Sequence, residues 1–378
     1  MEYRVFPNTD VCASLLGMGC MRLPTTEDGS IDEPKAIEMI RYAIDHGVTY
    51  VDTAYGYHDG KSEVLVGKAL RDGYRERVTL TTKLPVWLVK TYDDMERLLD
   101  EQLSRLQTDH VDFYLLHAIG RERFDMLRKL DYKRFLNDMV AKGKIRYPGF
   151  SFHDDAESFR EILDDYDWKL AQVQMNLLDE FNQATLDGVR YAAQKGVGIV
   201  IMEPLRGGML AKNPPENVAQ VYAKLPGERT HIDWCFRWLY DQPGVKVILS
   251  GMSNMDQLVD NLRIFEHTGS DCLTDEERAL LTDVRKAYES RVRVGCTGCR
   301  YCADCPKEVN ISRIFRELDT CYMFDDMERY RRVYAKLVEE KHDGSQCIKC
   351  GKCESACPQK FHIRELLADI DAEYHTAG

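Results

Sequence analysis

Eight short runs of apolar and β-branched residues recur along the first two thirds of the chain. An amphipathic stretch with helix start and stop signals follows each, and this alternation restricts the fold more than any other feature. The runs are 15–19, 49–52, 78–83, 111–117, 145–150, 170–174, 197–202 and 245–249. Eight strands alternating with helices over about 250 residues predict an α/β fold of the (β/α)8 TIM-barrel type, with its reactive groups at the C-terminal ends of the strands. A doubly wound sheet is the competing arrangement. Its dinucleotide fingerprint is incomplete, because Gly17-Met18-Gly19 is followed by Cys20, Met21 and Arg22 without a third glycine. Helix signals fit the same rhythm. Pro34 opens a helix with Ile37, Ile40 and Ile44 on one face, and Thr91 with Asp94 forms a capping box before Met95, Leu99, Leu103 and Leu106. Ser253 and Asp256 are expected to cap the last barrel helix, with Met255, Leu258, Val259 and Leu262 as its apolar positions, and a further helix is expected from Thr274. The segment 204–227, with Pro214, Pro215 and Pro226, reads as a strand-end loop near the ligand.

Three consecutive runs end in polar residues, Asp52, Lys83 and His117, and Tyr57 follows Asp52 closely. Reducing a carbonyl requires a proton for the developing alkoxide, hence a general acid. Tyr57 is the candidate donor, Lys83 the cation that stabilises its phenolate, Asp52 the anion that orients Lys83, and His117 the group that orients the carbonyl oxygen. Singly, each has an ordinary explanation as a helix cap, a solvated lysine or a satisfied polar neighbour. Their joint placement at successive strand ends points to chemistry.

The chain of 378 residues exceeds what one core usually absorbs, so two domains are expected, at 1–290 and 291–378. With 44% apolar and 30% charged residues it has a globular composition. A net charge of −12 argues against a nucleic-acid groove or an anionic membrane surface and leaves a small molecule or a protein as partner. No apolar run approaches the roughly 20 residues of a membrane span, and Met1-Glu2-Tyr3-Arg4 has no leader pattern, so the cytoplasm is the expected location.

Thirteen cysteines are unevenly placed: Cys12, Cys20, Cys235 and Cys272 lie before residue 290 and the others follow it. One run is Cys296, Cys299, Cys302 and Cys305, closed by Pro306; the other is Cys347, Cys350, Cys353 and Cys357, closed by Pro358. The second has the bacterial ferredoxin spacing, and the first departs from it by one residue. Paired Cys-x2-Cys motifs also make zinc sites. Two proline-closed runs of four favour two 4Fe-4S clusters in a small α-rich, ferredoxin-like domain. By the ferredoxin crossover, Cys296, Cys299, Cys302 and Cys357 hold one cluster, and Cys347, Cys350, Cys353 and Cys305 the other. Cys321 is left over and reads as a buried thiol in a helical stretch, 310–342, longer than a minimal ferredoxin needs. No Gly/Ser-rich linker separates the parts, so the small domain is expected to dock on the barrel.

Asp52-Thr53-Ala54-Tyr55-Gly56-Tyr57, continuing to Ser62-Glu63, together with Thr82-Lys83 and the run from Asp109 to His117, resembles the motifs of the aldo-keto reductases. The likeness spans roughly the first 265 residues. It implies a barrel that reduces a carbonyl or oxidises an alcohol, the tetrad Asp52, Tyr57, Lys83 and His117, and a nicotinamide cofactor, NAD(P)H, bound without a Rossmann domain. The spacing of that motif selects Tyr57 over Tyr55. By the same resemblance the cofactor contacts are Gly19, Met21, Ser151, Gln172, Met202, Pro204, Leu205, Gly251, Ser253, Gln257 and Asn261. Phe152 replaces the family's carboxamide-binding Asn, Met202 stands where many members have Tyr, and Gly251 and Gln257 replace basic residues that hold a 2′-phosphate, which weighs against NADPH.

The leading expectation is an oxidoreductase whose clusters exchange electrons with a redox-partner protein. Two others remain: cluster-driven radical chemistry at the barrel, and an electron-transfer protein with a non-catalytic barrel.

Overall fold

All eight expected strands form and close on themselves. The structure is a computed structural model describing residues 1–266 and 273–376; Cys272 lies outside the described residues. A hairpin, β1 (Tyr3–Val5) and β2 (Cys12–Ser14), precedes the barrel strands β3 (Leu16–Gly19), β4 (Tyr50–Asp52), β5 (Thr79–Leu84), β6 (Val111–Ile119), β7 (Ile145–Phe152), β8 (Leu170–Gln174), β9 (Gly198–Met202) and β10 (Val245–Ser250). The barrel is parallel, in the order β10-β3-β4-β5-β6-β7-β8-β9. Register fixes the site: Gly19 pairs with Asp52, Asp52 with Thr81, and Lys83 with Leu115. Strands β6 and β7 run two residues beyond the sequence expectation because Ile119 pairs with Phe152 after a register shift. That irregularity spans His117 and Ala118, whose φ is +50°. Such shifts re-aim a side chain at a strand end.

The hairpin was not legible in the sequence, and it helps fill the barrel. Phe6, between its strands, is fully buried with Tyr50, Phe113, Leu170, Val200 and Val247. Gly198 makes this possible, since a Cβ there would lie 2.4 Å from the Phe6 ring. Burying one such side chain is worth about 1.5–3 kcal/mol.

Helix ends follow local rules. Asp32 caps Glu33–Asp45, and the Thr91/Asp94 capping box opens Tyr92–Leu106 as expected. One cap differs: the side chain of Asn254 accepts from Gln257 N at 2.9 Å, while Ser253 donates to the Gln257 side chain, and Val259 is exposed. Thr274 and Glu277 cap Asp275–Glu289 reciprocally.

By compactness the chain divides into 1–211 with 228–278, and 212–227 with 279–378, so the division falls inside the helix Asp275–Glu289. Segment 212–227, expected as part of a ligand loop, groups with the second unit and carries the helix Glu216–Tyr222. In that unit the stretch 310–342 is two helices, Ile311–Met323 and Met327–Glu339. Ile314, Phe315, Leu318, Tyr334, Leu337, Leu367 and Ile370 form its core, and Cys321 is fully buried on the first helix. No helix among the described residues is long and apolar enough to cross a membrane.

Candidate active site

Lys83, the last residue but one of β5, is completely buried. Its ammonium has three donors and three acceptors: Asp52 Oδ1 at 2.6 Å, the Thr53 carbonyl at 2.8 Å and Tyr57 Oη at 3.4 Å. Burial alone would drive its proton off, but Asp52 and Tyr57 outweigh that and raise its pKa. Asp52 is itself pushed up by burial, which Lys83 opposes. Burial also raises the Tyr57 phenol above its ordinary value, with Lys83 offsetting part of the rise. The sequence reading expected Lys83 to make Tyr57 a better acid, and here the desolvation is larger.

A polar layer behind Lys83 holds its strand. Buried Gln102 donates to the Lys83 carbonyl (2.9 Å) and to Glu63 (2.5 Å), and accepts from Tyr114 (2.7 Å); Glu63 also accepts from Thr82 (2.6 Å). His117 packs edge-on to Tyr57, with ring centroids 6.0 Å apart, and against Trp87 at 5.2 Å. Burial first, then Lys83, pulls its pKa down to about 2, so the ring is neutral.

The four residues line one cavity of about 480 Å³, and all eleven expected cofactor contacts line the same cavity. Their side chains are not equally free. The Ser151 hydroxyl accepts from Ala118 N at 2.7 Å, holding the backbone beside His117. Gln257 accepts from Ser253, and Asn261 donates to Ser250 at 2.8 Å. Gln172 is buried with its amide oxygen unpartnered, facing Met202 at 3.9 Å through its nitrogen. That orphan acceptor fits the N–H donors of a carboxamide, so the residues present suit a nicotinamide even with Phe152 buried where the family pattern has Asn.

The sequence reading missed Arg22, His153, Glu203, Gly207, Gly208 and Ile232, which also line the cavity. Arg22 lies across Gly251, where a Cβ would sit 3.2 Å from its Cδ. Its guanidinium reaches Gly207, where a Cβ would lie 3.7 Å from Nη2. Its loop is pinned by Cys20 N to the Asp52 carbonyl (2.8 Å) and by Leu23 N to His58 Nε2 (3.1 Å). His153 and Glu203 stand in the stretches 149–153 and 201–205 that carry Ser151 and Met202, and Gly207 and Gly208 follow Pro204 and Leu205, whereas nothing local marks Ile232.

In the second unit the thiols sort into two sets. Cys296, Cys299, Cys302 and Cys357 line one small hollow, and Cys305, Cys347, Cys350 and Cys353 line another. This is the crossover read from the spacing. Among the described residues no group of His, Cys, Asp or Glu converges tightly enough for a single metal ion.

The family model described as "Aldo/keto reductase family" matches residues 15–283. The chain belongs to this family. A second model, "4Fe-4S dicluster domain", matches 295–361, so this aldo/keto reductase carries a 4Fe-4S domain C-terminal to its barrel in the sequence. It is 28% identical over 297 residues to the aldo-keto reductase YhdN of Bacillus subtilis, covering 68% of this chain and 87% of that one. To the NADH-specific methylglyoxal reductase of Escherichia coli it is 27% identical over 325 residues, covering 74% and 97%. Among solved structures, the holo form of an aldo-keto reductase from Bacillus halodurans superposes with a TM-score of 0.65 at 27% identity, covering 76% of this chain and 97% of that one. One from Klebsiella pneumoniae in complex with NADPH gives 0.58 at 26%, covering 75% and 96%. This chain is therefore an oxidoreductase of the aldo/keto reductase type.

Proposed function

We propose that the barrel of this reductase interconverts a small-molecule carbonyl and alcohol, with Tyr57 as the proton donor, and that its C-terminal domain exchanges single electrons with a partner protein through two 4Fe-4S clusters. The observation that carries the barrel half is the Lys83 ammonium, bound at once to Asp52 and Tyr57 at the foot of the cavity. When bound, a nicotinamide supplies or accepts the hydride. Gly19, Met21, Ser151, Gln172, Met202, Pro204, Leu205, Gly251, Ser253, Gln257 and Asn261 would hold it, and relatives named for NADH and for NADPH support that assignment.

The protein's own groups manage the proton. Tyr57 gives its proton to the carbonyl oxygen as negative charge develops there; the alkoxide is the stronger base, so the raised phenol pKa does not block transfer. The phenolate left behind lies 3.4 Å from the Lys83 ammonium, which Asp52 keeps charged. Neutral His117 contributes an N–H donor to the same oxygen without adding charge. In reverse, the phenolate takes the alcohol proton.

The eight cysteines of the two sets would hold the clusters, with domains at 1–290 and 291–378. A thiol-rich chain of this charge fits the cytoplasm, with neither nucleic acid nor membrane as partner. Anaerobic titration with NADH and with NADPH, followed by turnover of a panel of aldehydes and ketones by wild type and Tyr57→Phe, tests the barrel half. Retained turnover in the variant would sink it. Iron and sulfide analysis tests the other half, and zinc without sulfide would refute it.

A further inference from the structure

A cavity of about 590 Å³ lies in the second unit beside the first thiol set. Arg300, Arg313 and Arg316 line it, together with Glu308, His342 and Cys302. We propose that this cavity binds a small anion carrying two or more phosphate or carboxylate charges, held by the three arginines beside the first four-cysteine set.

The charge balance carries the argument. Arg313 and Arg316 stand three apart on the helix Ile311–Met323 and share a face, while Arg300 comes from the cysteine loop at a φ of +63°. Among the described residues none of the three guanidinium groups has a hydrogen-bond or ion-pair partner. The acids nearby do not neutralise them. Glu317, also on the wall, is paired with Arg329 at 3.0 Å, and Glu308, the remaining carboxylate there, is a single negative charge; its carbonyl engages the His342 ring at 2.9 Å. Three like charges around one concave space repel one another, and a bound polyanion relieves that repulsion. The planar guanidinium fork suits phosphate and carboxylate oxygens.

The second cysteine loop supplies a control within the same domain. There Arg364 lies near Gly351, but it is paired with Glu354 at 2.7 Å and donates to the Lys349 carbonyl. In the first loop Arg316 lies against Gly298, where a Cβ would come within 3.1 Å of its side chain, and no carboxylate answers it. The two loops thus share an arginine over a glycine and differ in whether the protein itself provides the counter-charge. The start of the helix Ile311–Met323 adds to the effect: Asn310, Ile311 and Ser312 line the cavity, and Asn310 makes no side-chain cap. The volume is within the range that encloses small ligands, about 300–1,000 Å³.

Cys302 lies on the same wall and belongs to the first thiol set. An anion here adds negative charge beside that set and favours the more oxidised state of a cluster held there. This coupling rests on the two-cluster reading; the binding does not.

The test uses full-length, cluster-loaded protein under anaerobic conditions, titrated by calorimetry with inorganic pyrophosphate and, separately, with citrate. Saturable binding of pyrophosphate identifies a phosphate ligand, and of citrate a carboxylate one. In either case the affinity should fall at least tenfold in Arg313→Ala and in Arg300→Ala, and should fall with added salt. Arg316→Ala is a third variant, read together with iron content because it also unpacks Gly298. A tenfold preference of the anion for the oxidised form lowers the midpoint potential by about 59 mV for one electron. Absence of saturable binding by both anions, or wild-type affinity retained in both single variants, overturns the proposal. Binding to protein that holds no iron and sulfide sustains the anion site and refutes the two-cluster reading.

Discussion

Lys83 in the barrel is held by two side chains and one carbonyl, whereas Cys296 in the second unit is approached by a loop held through its backbone. Asp319, buried on the helix Ile311–Met323, accepts from the N–H groups of Arg293, Val294, Gly295 and Cys296 at 2.7–3.3 Å. Buried Asp343 accepts from Ser345 N at 2.9 Å ahead of Cys347, and Tyr334 accepts from Gly344 N while donating to Asp371. The barrel therefore orders its reactive groups by closing a sheet around them. The second unit has a smaller core, against which Cys296, Cys302, Cys305, Cys347 and Cys353 pack, so its thiols are part of what holds it together. The long helical stretch between the cysteine runs has a use in this light: its two helices carry Asp319 and Tyr334, which pin the segments leading into both runs.

The largest expected effect breaks the comparison at its clearest point. Chelating the iron anaerobically should abolish the cooperative unfolding transition of the C-terminal domain and leave that of the barrel in place, as read by calorimetry. A C-terminal transition that survives would mean that Asp319 and Asp343 suffice without metal. Next, Tyr57→Phe should lower carbonyl reduction by about 10²–10⁴-fold, with iron and sulfide content unchanged. Loss of iron in that variant would show that the halves are not independent. Asp52→Ala leaves Lys83 buried and unpaired, so the barrel transition should lose about 3–5 kcal/mol in urea unfolding while the second domain is unmoved. Asp319→Asn keeps size but turns an amide N–H2 toward backbone donors; a loss of about 2 kcal/mol and reduced iron retention are expected, without change in the barrel.

The smallest effect is a pH slope. His117 is held at a pKa of about 2 in the folded protein against roughly 6.5 when unfolded. Below pH 6.5 the unfolded chain takes up a proton that the native barrel refuses, so stability falls as pH drops and the loss levels off only near pH 2. His58 and His153, also lowered by burial, act in the same sense. Between pH 7.5 and 5.5 the His117 contribution should be about 1.4 kcal/mol, and His117→Gln should reduce the pH-dependent loss of stability in urea unfolding by that amount.

Much of this was readable beforehand because it is local. Strand runs, the Thr91/Asp94 box and the Cys-x2-Cys spacings are patterns over a few residues, and each reports a backbone period or a ligand reach. The burial of Cys321 followed from its place on an apolar helix face. Other features join residues far apart in the chain. Arg22 meets Gly251, Gln102 reaches both Glu63 and Lys83, and Phe6 fits against Gly198, and none of these contacts has a spacing to read. The cap before the last barrel helix went to Asn254 instead of Ser253 because several neighbouring residues offer equivalent oxygens and packing chooses among them.

By itself the sequence determined the barrel, its eight strands, the polar residues at their ends and the sorting of eight cysteines into two crossed sets, since periodicity and ligand spacing are properties of neighbouring residues. Only the tertiary structure decided how those groups are charged and held. Whether burial or a counter-ion dominates at Tyr57, Lys83 and His117 depends on what surrounds them from every side. Whether an arginine beside a cysteine loop is answered by a carboxylate, as Arg364 is and Arg316 is not, depends on which side chains the folded chain brings within a few ångströms of each other.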